Sequence, residues 1–186
     1  MATERADAAR NRARVLVAAA ELFRSKDPRT VTMDDVAKGA GVGRATLYRR
    51  YPDVVSIAAA LLGEYEYTLQ ERMLAGPPPL GPGAVPAERL AAFYAAMVEH
   101  LEQNLPLHLG VDAGAARLAI DTYGFWRAHV RSLITANGTV DDPDALVDAL
   151  IAPLAAEVYQ YQRTRLGLTP ERIVAGLTLL AQRILS

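Results

Sequence analysis

The stretch GVGRATLYRRYP, residues 41–52, gathers the side chains of this chain best suited to meeting another molecule. Arg44, Arg49 and Arg50 carry planar guanidinium forks that match the paired acceptors O6 and N7 of a guanine edge. The Tyr48 hydroxyl, and the amides at a helix start, suit phosphate oxygens. Read as a helix over 44–51, the stretch sorts by face. Leu47 and Tyr51, four apart, join Val42 on a buried side, while Arg44, Ala45, Tyr48 and Arg49 lie opposite, flanked by Thr46 and Arg50. For any one arginine a solvated helix face is the alternative. Three of them with a tyrosine on one face, directly after a turn, favour a polyanion.

Such a face needs a support, and the preceding residues supply one. Residues 8–24 place Val15, Ala18, Ala19, Leu22 and Phe23 on one helical stripe, with Arg10, Arg12 and Arg14 facing out. A second, short helix is expected over 33–39. Thr32 caps it and Asp35 completes a capping-box pair. Gly41 permits the positive φ of a tight turn, and Val42 drops into the core. Gly43 is the N-cap of the helix that follows, and Pro52 ends it. Helix, tight turn and basic helix have the layout of a helix-turn-helix.

Charge follows the same division. Residues 1–51 hold eleven Lys and Arg against six Asp and Glu, a balance of +5, whereas 52–186 hold nine against fifteen, a balance of −6. A small basic part on a larger acidic body points to a polyanion partner at one end. Composition excludes other chemistries. The chain has no cysteine, and its histidines, His100, His108 and His129, show no metal-ligand spacing, so no metal and no cofactor are expected. No nucleophile–base set or phosphate loop is present, so no catalytic residues and no enzyme activity are expected. No apolar run reaches the roughly 18 residues of a membrane span, and the start is too polar for a secretion signal. A cytoplasmic protein is expected.

Helical periodicity continues to the end, with almost no strand alternation, so the fold class is all-α. A long helix is expected over 54–75, then a Pro/Gly linker over 76–86 that leaves the end of that helix slack. Further helices are expected over 87–104, 113–136, from Asp142 to a break at Pro153, 154–166 and 170–185. The expected division is a helix-turn-helix domain over 1–53 and a larger helical domain over 54–186. In the larger part, Phe93, Met97, His100 and Asn104 share a helical spacing, and Tyr65, Tyr123 and Trp126 could complete a ligand pocket with them. Each of these residues is also an ordinary core side chain. A continuous stripe of Ile173, Leu177, Leu180, Ala181 and Ile184, with Leu154, Val158 and Tyr161 before it, serves either a core or a partner surface.

The run TMDDVAKGAGVGRATLYRRYPD resembles the helix-turn-helix signature of the TetR family of bacterial transcription regulators. The residues in register are Thr32, Val36, Ala37, Ala40, Gly41, Val42, Thr46, Leu47, Tyr48 and Tyr51. The resemblance covers about residues 8–62, and beyond them it rests on length and helix order. It implies a homodimeric regulator, usually a repressor, whose three-helix head enters the DNA major groove and whose C-terminal domain binds a small-molecule effector. It also implies Arg44, Ala45 and Thr46 at base or phosphate contacts, Tyr48 at a phosphate with Arg49 and Arg50 beside it, and Thr32 and Met33 as backbone anchors. With the family in view, the stripes in the last two helices are expected to form a four-helix dimer interface. Two departures stand out. Gly43 replaces the usual Ser or Thr cap, and Val54 stands where many members have a lysine. The alternatives are a constitutive DNA-binding protein without effector and, against the absence of a catalytic motif, a helical enzyme.

Overall fold

The computed structural model describes residues 2–111, 121–138 and 140–185. Among the described residues every regular element is helical. In chain order these are α1 (Ala2–Ser25), a 3-10 turn (Pro28–Thr30), α2 (Met33–Ala40), α3 (Arg44–Arg50), α4 (Val54–Ala75) and α5 (Pro86–Val111). Then follow α6 (Asp121–Asn137), α7 (Pro143–Ile151), a second 3-10 turn (Ala152–Leu154), α8 (Ala156–Thr164) and α9 (Pro170–Ile184).

Boundaries depart from expectation where breakers are weak or tolerated. α1 begins at Ala2 rather than near residue 8, because ATERADAARNRA is rich in strong helix formers and holds no Gly or Pro. α5 runs to Val111, past the expected end at 104 and through Pro106. A proline removes one N–H, and buried Leu107 and His108 favour the helix beyond it. The expected start of the helix over 113–136 lies outside the described residues. At Pro153 the expected break is present: α7 stops at Ile151 and a 3-10 turn leads to α8. Asp142 accepts from the Ala145 amide and Thr169 from the Arg172 amide, so both α7 and α9 open on a side-chain cap followed by proline.

The chain forms two compact units, residues 1–64 with 106–111, and residues 65–105 with 112–186. The division falls inside α4 instead of before it. The apolar stripe of that helix serves both units in turn, Ile57, Ala58, Leu61 and Leu62 being buried in the first and Leu69 and Met73 in the second. In the first unit α1 contributes Val15, Leu16, Ala18, Ala19 and Phe23 to the core, against Val36, Ala37 and Ala40 of α2 and Leu47 of α3. In the second, Leu90, Phe93, Tyr94 and Leu101 of α5 are buried along with Val130, Leu133 and Ile134 of α6 and Leu150 and Ile151 of α7. The Tyr94 hydroxyl donates to the Leu150 carbonyl at 3.1 Å, which ties α5 to the end of α7.

The linker between α4 and α5 is a folded turn rather than a slack tether. Gly76 N–H donates to the Arg72 carbonyl and Gly81 N–H to the Pro77 carbonyl, and Leu80 is buried. A Cβ on Gly81 would stand 1.8 Å from the Gly76 carbonyl oxygen, so only glycine lets the turn close. Arg89 of α5 donates to the Met73 carbonyl at 3.2 Å, fastening the end of α4 a second time.

Candidate nucleic-acid interface

The candidate surface is built from α2 upward. Thr32 caps α2: its hydroxyl accepts from the Asp35 amide at 3.1 Å, while the Asp35 carboxylate accepts from the Thr32 amide at 3.1 Å and from the Thr32 hydroxyl at 2.8 Å. These bonds, led by that from the Thr32 hydroxyl, hold the Asp35 carboxyl below its ordinary value. α2 ends at Gly41 with φ 60°, ψ 40°, the left-handed conformation that reverses the chain. From α1, Arg14 donates to the Gly41 carbonyl at 2.8 Å, so the turn is held from outside as well.

α3 follows with Gly43 at its N-cap and no side-chain cap. What keeps this seven-residue helix in place is its inner face. Leu47 is 1% exposed and Tyr51, the residue that ends the helix, 6%. Arg12 of α1 lies beside the Tyr51 hydroxyl and pairs with Glu64 of α4 at 2.5 Å. Val42 is only half-buried, because it lies in the turn and not between the helices. On the outer face Arg44, Ala45, Thr46, Tyr48, Arg49 and Arg50 are all exposed, Tyr48 by 51%. The six residues expected at a nucleic-acid surface on α3 are therefore all left exposed around the buried Leu47, with Arg44, Ala45, Tyr48 and Arg49 opposite it and Thr46 and Arg50 at the flanks. Thr32 is exposed at the start of α2, but the Met33 side chain is buried, so only the Met33 backbone is left to act as an anchor. Asp53 opens α4, accepting from the Ser56 amide at 2.7 Å.

One relationship on this surface had no signal in the sequence. Arg44 donates through Nη2 to Asp34 of α2, across the turn. The two are ten residues apart and fall on different helices, so no helical spacing connects them.

The residues expected in a pocket separate into two groups. Tyr65, His100 and Asn104 line one cavity of about 160 Å³, with Thr68, Arg72 and Gln103. Asn104 donates to the His100 carbonyl at 3.0 Å, and the Tyr65 and His100 rings meet edge to face at 6.4 Å. Phe93, Met97 and Trp126 are instead buried in packing: the Phe93 ring lies 5.8 Å from Trp126 and 5.6 Å from His129. Tyr123 donates to Asp148 at 2.8 Å, where Arg127 also binds, so it joins α6 to α7. Among residues expected at a partner surface, Leu154, Ile173, Leu177 and Ala181 are buried within the chain, and Leu180 and Ile184 are half-buried. Val158 is 41% and Tyr161 56% exposed, and Leu179, absent from the expected stripe, is 54% exposed.

Comparison with known proteins agrees with this geometry. Residues 15–61 match the model of the bacterial regulatory proteins of the tetR family. No curated protein matches the chain. Among solved structures, a transcriptional regulator of the TetR/AcrR family from Thermobifida fusca YX-ER1 superposes with a TM-score of 0.68 at 22% identity, over 91% of this chain and 95% of that one. Native NalD of Pseudomonas aeruginosa, the secondary repressor of the MexAB-OprM multidrug efflux pump, gives 0.64 at 18% identity, over 96% and 98%. A TetR-like transcriptional regulator from Rhodococcus sp. RHA1 gives 0.64 at 18% identity, over 93% and 94%. These likenesses establish a shared fold over nearly the whole chain, and its helix-turn-helix segment, residues 15–61, is similar to the bacterial regulatory proteins of the tetR family.

Proposed function

We propose that the chain is a transcription regulator that binds a DNA operator through α3 and, as a homodimer, reads two half-sites. The observation that carries this reading is the division of α3: every polar and cationic side chain on it faces solvent while Leu47 and Tyr51 anchor it. A short helix with that surface fits the major groove, where arginine forks reach base edges and a tyrosine hydroxyl reaches a phosphate. Val54 leaves the start of α4 without a cation, so Arg49 and Arg50 supply the backbone grip. Dimerisation sets two such helices about one DNA turn apart, roughly 34–36 Å. Val158 and Tyr161 on α8 and Leu179 on α9, with exposed Ala175 and Gly176, form the apolar surface left for the second copy.

Repression and release by a small effector form the finer part of the reading. The cavity at Tyr65, His100 and Asn104 supports it, since Thr68, Arg72 and Gln103 add further polar side chains around it that could orient a ligand. At about 160 Å³ it suits a small polar effector more than a bulky lipophilic one, since drug-sized ligands occupy roughly 300–1,000 Å³. α4 lines this cavity and runs unbroken from Val54 to Ala75, so an effector that favours one disposition of Tyr65 biases the helix that follows α3.

The test is a gel shift on duplex from the region upstream of the gene, with wild type, Arg44→Ala and Arg49→Ala. Wild type is expected to bind that duplex in preference to a scrambled one, and both variants to bind it at least about tenfold more weakly. Equal, sequence-independent binding by all three proteins overturns the reading.

A further inference from the structure

Arg44, Arg49 and Arg50 are all exposed on α3, yet among the described residues only Arg44 of the three is paired with a carboxylate. That carboxylate, Asp34, stands in the first turn of α2, and the side chains of Arg44 and Asp34 keep 70% and 52% of their exposure. A pair so exposed contributes little to folding. An aspartate on a surface offered to phosphates also weakens attraction to any DNA, so its position at Arg44 calls for another account.

We propose that Asp34 is a positioning residue for Arg44, one that sets sequence discrimination at the expense of general affinity. The proposal rests on the DNA-binding reading above. A free arginine samples many rotamers, and its charge is satisfied by whichever phosphate comes nearest. Holding one end of the guanidinium through Nη2 leaves the remaining N–H donors directed at a base edge and screens the cation from the backbone. Asp34 thus acts through Arg44 and itself touches no base.

The experiment selects duplexes from a randomised library with wild type, Asp34→Asn and Asp34→Glu, each checked for folding by thermal unfolding. Affinities for the selected sequence, its single-base variants and a random duplex are then measured across salt concentrations. Asp34→Asn is expected to bind the random duplex more tightly, with a slope of log K against log salt steeper by up to about one. It is also expected to lose about tenfold of discrimination at one base pair. Asp34→Glu, which keeps the charge but moves the carboxylate by a methylene, is expected to retain the wild-type slope and lose discrimination at the same pair. In an Arg44→Ala background Asp34→Asn should leave discrimination unchanged. If wild type enriches a sequence and Asp34→Asn discriminates as well as wild type, the proposal falls and the DNA reading stands. If wild type enriches nothing, both fall.

Discussion

Arg14 of α1 donates to the carbonyl of Gly41 at 2.8 Å, bridging 27 positions to hold the turn between α2 and α3. Gly41 has φ 60°, and a Cβ there would lie 2.6 Å from Arg14 Nη2. Gly41→Ala is expected to destabilise the protein by about 2 kcal/mol, most of it from the left-handed backbone and the rest from displacing the guanidinium. Arg14→Met is expected to cost about 1 kcal/mol. Because the alanine already breaks that bond, the double variant should cost clearly less than the sum of the two in urea unfolding. Strict additivity would show that the bond and the turn are energetically separate.

His129 predicts a pH dependence. It is buried against Phe93, and desolvation, then the nearby Arg89 charge, lower its pKa from 6.5 to about 4. The folded state therefore refuses a proton that the unfolded chain accepts. Stability is complete above pH 6.5 and erodes as pH falls from there towards 4. Between pH 7.5 and 5 this group accounts for roughly 2 kcal/mol. Urea unfolding of wild type and His129→Leu at both pH values isolates it: the variant should lose that much less on acidification, and parallel losses would refute the assignment.

Glu102 of α5 binds α8 at two points. Arg163 donates to it at 2.8 Å from Nη2 and 3.0 Å from Nε, and the Tyr159 hydroxyl donates to the oxygen that also receives Nε. Arg163 also donates to the Leu168 carbonyl at 2.7 Å, so the same cation fixes the loop before α9. Arg163 first, then Tyr159, hold the Glu102 carboxyl below its ordinary value. Its contribution is present at neutral pH and lost as pH falls below about 4.5 and on through the lowered value. Glu102→Gln is expected to cost about 1 kcal/mol at pH 7, discounted for the exposure of the pair, and nothing well below pH 4. Thermal unfolding at both pH values reads the difference.

The surface proposed for a second copy makes a sharp contrast. Leu179→Glu adds a charge to an exposed position and should leave the protomer folded while raising the dimer dissociation constant by one to two orders of magnitude, roughly. Leu177→Glu, two residues earlier, buries that charge and should unfold the second unit. Sedimentation with circular dichroism separates the outcomes, and a Leu179→Glu protein that associates like wild type would remove α9 from the interface.

The sequence was most legible where local chemistry decides structure. The Thr32–Asp35 capping box, the left-handed Gly41 and the Leu47/Tyr51 anchor are each set by residues within a turn of one another. Longer reach was lost. Ile173, Leu177 and Ala181 follow helical spacing whether they meet this chain or another, and here they face inward, which a single period cannot distinguish. Phe93 and Trp126 likewise have the composition of a pocket and the placement of a core. The proline-rich segment suggested slack because prolines and glycines exclude helix, but exclusion of helix says nothing of tightness. The Gly81–Pro77 bond closes a turn there that has no periodic signature. Arg44–Asp34 and Arg14–Gly41 depend on how three helices stack, and charge counts are blind to that.

The seven residues of α3 have no side-chain cap and hold their place through Leu47 and the Tyr51 that follows. A genetic screen for lost binding to the proposed operator should therefore return two intermixed kinds of allele. Changes at Arg44, Tyr48 or Arg49 would be defective at every growth temperature. Conservative changes at Leu47 or Tyr51 would be silent in the cold and null in the warm, since what they remove is the floor beneath the helix rather than its grip. Heat sensitivity alone would then sort the map of this head into its reading surface and its foundation.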